Sequence, residues 1–528
     1  MEKPTLNLKP QQAITEAVWI LFILAVGLAA FTWNHESVFF GGEVYFTDGD
    51  CYARMTRVRM IEAEGLHSIR SHTFENFPEG TKPHTTMPLD ALIAGLSQIL
   101  RPFFSNHLSL AGAWISPLLG FALLVFLAAW SFRMRLPYRR AMLLLVAVSP
   151  ILAHGFQIGR PDHQSLLLFL IAVAMSAEVS IFLQRGQVWA FVSACAWALA
   201  LWVSLFEPLI LLILVLANRG AFLVFIPRLR PTLRQVIVPV GLFVALLATA
   251  LIIDGWRAAA FHPAFDRWAQ NIGELRSTTP NVLFGWCGWL LVILPLLMAW
   301  LFRRDREPDS LVFLAPILAT AGLALHHARW GYFVAVFCAM ALPWALSALR
   351  WRWLAWIAFV VSLWPIASEW DHLLYPTDLV WRARAENLAD AVALRDAAIR
   401  LRGLPQGGVM APWWFCPAIV WWSGQPCIGG TSHQSLPGIV DSCEFYLSES
   451  SKKAEGILKK RQSRYIFAYE PERMNSNSAQ ILGRHSISTP FSEFLYKHPK
   501  ESGLDAEFIY ANRYFNVHGV VSRQINRP

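Results

Sequence analysis

The residues able to do chemistry lie in a few short, widely separated stretches. Tyr45-Phe-Thr-Asp-Gly-Asp-Cys51 sets Asp48 and Asp50 one residue apart, with Arg54, Arg57 and Arg59 following at helical spacing. Carboxylates that close repel unless a divalent cation or a held arginine neutralises them. The same Asp-Gly-Asp step also makes an ordinary turn. Gln157-Ile-Gly-Arg-Pro-Asp-His-Gln164 puts Arg160, Asp162 and His163 immediately before an apolar run. A charge there is either functional or a helix N-cap. Glu274, in Asn271-Ile-Gly-Glu-Leu-Arg276, reads as a reactive carboxylate or as half of a solvated pair with Arg276. Arg329, in His326-His-Ala-Arg-Trp330, sits between two apolar runs, where an arginine snorkels or holds an anion. The adjacent histidines diverge on a helix, which argues against a metal site there. Met410-Ala-Pro-Trp-Trp-Phe-Cys-Pro417 gathers Trp413, Trp414 and Phe415, either a buried core or a platform for a peptide or sugar.

The elements that must position these groups are helices in a membrane. Of 528 residues, 55% are hydrophobic and 15% charged, and mean hydropathy is +0.40. A soluble chain does not need so many uncharged runs. Apolar segments predict spans near 15–33, 110–132, 138–155, 163–183, 188–205, 208–226, 236–253, 283–302, 310–327, 331–349 and 353–368. The segment 87–101 is too short to cross and carries Asp90, so it predicts a re-entrant or surface helix. The net charge of +9 comes from arginine clusters between spans: Arg133/Arg135/Arg139/Arg140, Arg185, Arg228/Arg230/Arg234, Arg303/Arg304/Arg306 and Arg350/Arg352. That is the positive-inside pattern and not a nucleic-acid face. The 24 tryptophans fit interfacial belts.

With those clusters cytoplasmic, the large loop 34–109, the short loops 156–162 and 328–330, the loop 254–282 and everything after 369 fall on the outer side, together with every candidate residue. The division is then a membrane domain, 1–369, and an outer α/β domain, 370–528, with an amphipathic helix at 383–402 and strands at 408–411, 464–469 and 508–521. The seven cysteines form no CxxC pair. Cys416, Cys427 and Cys443 allow one disulfide in an oxidising compartment. The first apolar run has no A-x-A cleavage site and reads as a retained span.

In this order the motifs resemble the catalytic subunit of oligosaccharyltransferase, a C-type membrane glycosyltransferase, over roughly 35 to 470. The series is an outer-loop Asp motif after the first span, a second Asp motif before the fourth, a Gly-Glu motif in a later outer loop, an interfacial Arg and a Trp-Trp motif. The resemblance implies a polytopic α-helical fold of about 11–13 spans with an extracytoplasmic α/β domain. It implies metal-dependent inverting transfer of an oligosaccharide from a polyprenyl (pyro)phosphate to a protein acceptor, asparagine, at the outer face of the inner membrane. By the same resemblance Asp48, Asp162 and Glu274 are catalytic, and Asp48, Asp50, Asp162, His163 and Glu274 hold Mg²⁺ or Mn²⁺. Arg329 and Arg160 hold the lipid-linked phosphate, and Trp413, Trp414 and Phe415 face a polypeptide.

Two departures stand out. Gln164 replaces the second acid of Asp162-His-Gln164, and Phe415 replaces the acid of the family's Trp-Trp-Asp motif. A site lacking that hydrogen-bond acceptor loses discrimination for a Ser or Thr hydroxyl. The rival readings are transfer to a lipid or glycan, a non-catalytic binder of lipid-linked glycan, and a membrane transporter. A transporter would place its charges mid-membrane in interrupted helices, whereas here they lie at loop ends. The implied partners are the lipid-linked donor, the acceptor and membrane lipids, with no nucleic acid.

Overall fold

A computed structural model describes residues 10–65, 67–83, 87–183, 186–225, 233–255, 262–305, 312–487 and 490–520. Arg185, Arg228, Arg230, Arg306 and Val521 lie outside the described residues, as does the side chain of Arg234. The fold is a polytopic helical membrane protein with a small C-terminal α/β region. Among the described residues seven helices are long and apolar enough to cross a membrane: Ile14–Phe31, His107–Arg133, His163–Phe182, Phe206–Val224, Gln235–Asp254, Ala328–Ser347 and Arg352–Leu374. An eighth crossing forms if the pair Pro280–Cys287 and Leu290–Arg304, bent by 76°, counts as one.

Within the described residues every apolar run read from the sequence is largely helical, but three fall short of a full crossing. Val188–Val203 and Leu314–His326 are short apolar helices. The run 138–155 is split into Arg139–Val148 and Pro150–Gly155, because Pro150 at the first helical position cannot donate back to the preceding turn. Leu89–Leu100 is a short helix, as its length predicts.

The chain divides into two compact units. Unit one comprises 1–36, 114–250 and 274–376. Its centre is the helix at Ala328–Ser347, of which 89% is buried, against 6% of Gln235–Asp254. The latter exposes Ile237, Val240, Val244 and Ile252, a face suited to lipid and not to water. The central helix begins at Gly331, where a Cβ would come within 2.2 Å of the Trp286 ring, so only glycine lets that indole pack so close. Glu16 is held between Arg139 at 2.9 Å and Arg140 at 2.5 Å.

Unit two comprises 37–113, 251–273 and 377–528. Its four-stranded sheet runs β3-β4-β6-β5, where β3 is Gly408–Met410, β4 Ser463–Ala468, β5 Ala506–Ala511 and β6 Asn516–Val520. A two-stranded ribbon, β1 (Phe39–Phe40) with β2 (Glu43–Val44), precedes it in the chain. β3 and β4 are parallel and the other neighbours antiparallel. The apolar run at 508–521 is thus a hairpin and not a single strand. Asn512 folds it back, its Oδ1 accepting from the N–H groups of Tyr514 and Phe515. The amphipathic helix spans Asp378–Ile399.

The first loop and the C-terminal region share this unit. Arg461, buried, donates to Asp441 at 2.6 Å, to Asn76 at 3.1 Å and to Glu79. The helix Gly49–Glu64 packs on Cys416–Ser423, and Arg59 lies 3.5 Å over the Trp421 ring. Arg54 and Arg57, read as a cationic set, are buried on Asp90, Arg54 in a short ion pair and Arg57 at 3.6 Å. The disulfide that Cys416, Cys427 and Cys443 allow is not formed: all seven cysteines are free, with Cys427 hydrogen-bonded to Cys416 as a thiol in an apolar interior. Removing one partner of a buried ion pair costs about 3–5 kcal/mol, because the remaining charge is stranded. Asp90→Ala, which strands two guanidiniums, is expected to lower the thermal midpoint of the purified protein sharply, whereas Glu79→Ala, at a half-exposed carboxylate, lowers it little.

Candidate active site

The helix His163–Phe182 starts after Gly159-Arg-Pro161, and Asp162 precedes it with extended backbone (φ −101, ψ 149). Asp162 makes no side-chain cap hydrogen bond. Its Oδ1 instead lies 2.6 Å from Nδ1 of His163, and its Oδ2 3.4 Å from Nη2 of Arg160. The loop beneath is pinned by Ser165 Oγ, which donates to the Asp162 carbonyl at 2.9 Å and accepts from Ser116 Oγ at 3.0 Å. Of the two meanings the sequence allowed for Asp162, capping is not the one used.

Glu274 stands on a single 3₁₀ turn, Gly273–Leu275, with its side chain about a quarter exposed. Its Oε1 is 2.5 Å from Nη2 of Arg160 and 3.4 Å from the Tyr332 hydroxyl, and its Oε2 is 3.8 Å from Nη2 of Arg329. The Arg276 carbonyl accepts from Ala328 N–H and the Leu275 carbonyl lies 2.8 Å from Nδ1 of His327, which ties this loop to the start of the central helix. Arg160 is buried, and its Nη1 is 2.9 Å from both the Tyr332 hydroxyl and Nε2 of His154. Arg329 Nε meets Glu207 at 3.1 Å, and Glu207 also accepts from Ser204 at 2.7 Å.

The result is an alternating chain of charge, Asp162–Arg160–Glu274–Arg329–Glu207, at the ends of four apolar helices. Three carboxylates face two guanidiniums, leaving one formal negative charge with the histidines neutral. Such a network is costly to bury and does not by itself stabilise a fold. Unit one therefore brings together Asp162, His163, Glu274, Arg160 and Arg329. Sequence reasoning missed Glu207, Tyr332 and His154. Glu207 was accessible, as an acid opening an apolar run, while Tyr332 and His154 sit inside apolar runs without any local signal.

The remaining candidates belong to unit two. Asp48 does cap its helix, Oδ1 accepting from Cys51 N–H at 2.9 Å. Asp50 accepts from Thr431 Oγ1 at 2.5 Å. Trp413 is core: it packs with Trp268, Leu436, Ile439, Cys443 and Ile481, and its Nε1 donates to Asn477 at 2.9 Å. Phe415 lies 5.0 Å from the Tyr469 ring and 5.2 Å from that of Phe515. Trp414, half-buried between them, has the Arg473 guanidinium 5.5 Å from its ring. Glu75, also unseen in the sequence, is buried beside Gly430, where a Cβ would be 2.7 Å from both Glu75 Oε1 and Ser435 Oγ.

Hard oxygen ligands suit Mg²⁺ or Mn²⁺. Among the described residues, however, no group of three or more His, Cys, Asp or Glu side chains is arranged to hold a metal ion. In unit one the place between the two expected carboxylate ligands is taken by the Arg160 guanidinium. Gln164, at the position of the family's second acid, is a fully buried neutral amide with neither polar atom hydrogen-bonded. These residues do not fit a divalent cation.

No family model and no curated protein matches the chain. Solved structures do. The archaeal oligosaccharyltransferase AglB from Archaeoglobus fulgidus, in complex with an inhibitory peptide and a dolichol-phosphate, aligns over 98% of this chain and 75% of its own, at 14% identity and a TM-score of 0.67. The same protein's complex with Zn and sulfate aligns over 88% and 70%, at 15% identity and TM-score 0.60. ArnT from Cupriavidus metallidurans, bound to undecaprenyl phosphate, aligns over 98% and 99%, at 12% identity and TM-score 0.53. The chain has their fold. It is the C-type membrane glycosyltransferase fold that the motif order resembles.

In unit two the Glu75 carboxyl is buried. Burial pushes its carboxyl from the ordinary 4.5 up to about 7, opposed by Arg57 and reinforced by Asp50. A carboxyl raised in the folded state favours folding while protonated, so that contribution is full below the ordinary value and is lost as pH rises through about 7. Thermal midpoints should fall between pH 5 and pH 7.5, and Glu75→Gln should flatten that slope.

Proposed function

We propose that the protein transfers an oligosaccharide from a polyprenyl (pyro)phosphate carrier to a polypeptide, on asparagine, at the outer face of the inner membrane. The observation that carries this reading is the alternating acid and guanidinium network of unit one at the ends of apolar helices. The fold supports it, since the two proteins sharing it were solved with a dolichol-phosphate and with undecaprenyl phosphate. In the reaction, an acceptor nitrogen attacks the anomeric carbon and the carbon–oxygen bond to phosphate breaks. The electron pair leaves on the phosphate oxygen, and the acceptor proton passes to a carboxylate.

Asp48 is assigned to hold the acceptor and take that proton. Arg329 and Arg160 are assigned to the phosphate, since a guanidinium keeps its charge and its forked donors match phosphate oxygens. Asp162 and Glu274 aim those arginines, and charge placed where it develops lowers the barrier. Glu207, on the far side of Arg329, does the same for that residue. The Mg²⁺ or Mn²⁺ expected from the resemblance enters no step here, because the unit-one residues do not fit it. Residues 1–369 are proposed as the transmembrane domain, with 34–109 and 254–282 as its outer loops, and 370–528 as the extracytoplasmic α/β domain.

The aromatic packing around Phe415 favours a second reading, transfer to a lipid or glycan. No acid stands in that motif to accept from a sequon hydroxyl, and Trp413 faces the core. Two measurements decide. In membranes supplied with a lipid-linked sugar and divalent salt, Asp48→Ala and Glu274→Ala are each expected to lower transfer by about 100-fold or more. Full activity in both would remove the catalytic assignment. Mass spectrometry of envelope proteins and lipids, with and without this protein, should show a glycan missing from asparagine. A glycan missing only from lipid would select the second reading.

A further inference from the structure

We propose that in this chain the Arg160 guanidinium stands in place of the divalent cation, so that transfer proceeds without metal. The inference rests on the transferase reading above, and the geometry that supports it belongs to unit one alone. Arg160 is not a mobile surface cation. It is buried, and its two terminal nitrogens are engaged by Glu274 at 2.5 Å, Asp162 at 3.4 Å, the Tyr332 hydroxyl at 2.9 Å and Nε2 of His154 at 2.9 Å. It occupies one oxygen of each acid, Oδ2 of Asp162 and Oε1 of Glu274, and Oε2 of Glu274 faces Arg329 at 3.8 Å. The other oxygen of Asp162 is taken by His163 at 2.6 Å.

Mg²⁺ requires near-octahedral oxygen ligands at about 2.0–2.1 Å. A nitrogen 2.5 Å from Glu274 Oε1 fills that space. Nor can Arg160 shed its charge to make room, since a guanidinium stays protonated in proteins. The charge balance has moved the same way at a second position. Gln164 removes one carboxylate from the donor set, and its buried amide has no hydrogen-bond partner. One negative charge lost and one permanent positive charge installed between the remaining acids are what a site would need in order to do without a cation of charge two. An arginine in that position supplies fixed positive charge to a leaving phosphate, which is the electrostatic part of what a metal would contribute.

The test uses the full-length protein purified in detergent and dialysed against EDTA. Mn²⁺ binding is read by electron paramagnetic resonance, independently of turnover. Wild type is expected to bind no Mn²⁺ with Kd below about 1 mM. The double variant Arg160→Ala/Gln164→Asp, which restores the second acid and removes the guanidinium, is expected to bind it. In parallel, wild-type transfer should change less than about twofold between EDTA and added Mn²⁺ or Mg²⁺, and Arg160→Ala should lose about 100-fold.

Loss of wild-type transfer in EDTA with recovery on Mn²⁺ or Mg²⁺ overturns the proposal. So does a wild-type Mn²⁺ signal that Asp162→Asn abolishes. Where the Arg160 variants do not fold, the two wild-type measurements decide on their own. If wild type transfers no sugar with or without metal, the transferase reading fails, and Mn²⁺ binding by wild type still settles whether the guanidinium excludes the ion.

Discussion

Unit one is arranged around one guanidinium. Arg160 joins Asp162, which opens a buried helix, to Glu274, which comes from a loop more than a hundred residues later. Two carboxylates brought to the ends of apolar helices would repel each other and lose their hydration, and neither cost is met by apolar packing. The Arg160 charge offsets both, and Tyr332 and His154 satisfy its other nitrogen. Arg329 repeats the arrangement one step further out, between Glu274 and Glu207. The alternation sets an opposite charge beside each acid and each guanidinium.

The second unit uses the same chemistry for a structural end. Its buried arginines, Arg54, Arg57 and Arg461, lie on acids, and Arg461, which pairs with Asp441 and reaches Asn76 and Glu79, secures the first loop against the C-terminal segment. The aromatic motif after β3 serves the interior as well. Trp413 completes a core to which the 251–273 segment contributes Trp268. Asp48 and Asp50 stand at the start of the helix Gly49–Glu64, which packs on Cys416–Ser423, so their backbone is held by the first loop and the C-terminal segment together.

The two kinds of buried charge differ in what they leave available. Asp90 is wholly enclosed by the arginines it neutralises and can do nothing else. Glu274 keeps about a quarter of its side chain exposed, and Arg329 about a fifth. Enclosed pairs specify packing, whereas a partly open network can exchange a protein partner for a phosphate or an acceptor at modest cost.

Long apolar runs were legible at once, because a helix in lipid must be apolar over its whole length, and that constraint is written locally. Asp162, Glu274 and Arg329 were legible for the complementary reason: charge beside such a run is expensive and seldom incidental. What local sequence does not carry is pairing. Arg54 and Arg57 read only as a cationic set, with nothing nearby in the chain to name Asp90 as their partner, and Trp413 read equally as core or platform, with nothing nearby to name Trp268 as its neighbour. Pro150 divided one apparent span, and Asn512 turned one apparent strand into a hairpin. Whether Arg160 holds a phosphate, caps nothing, or sits between two acids depends on side chains from segments far apart in the chain. Only the fold decided that, because an ion pair is defined by distance in space, and residues at 154, 160, 274 and 332 become neighbours only when the helices pack.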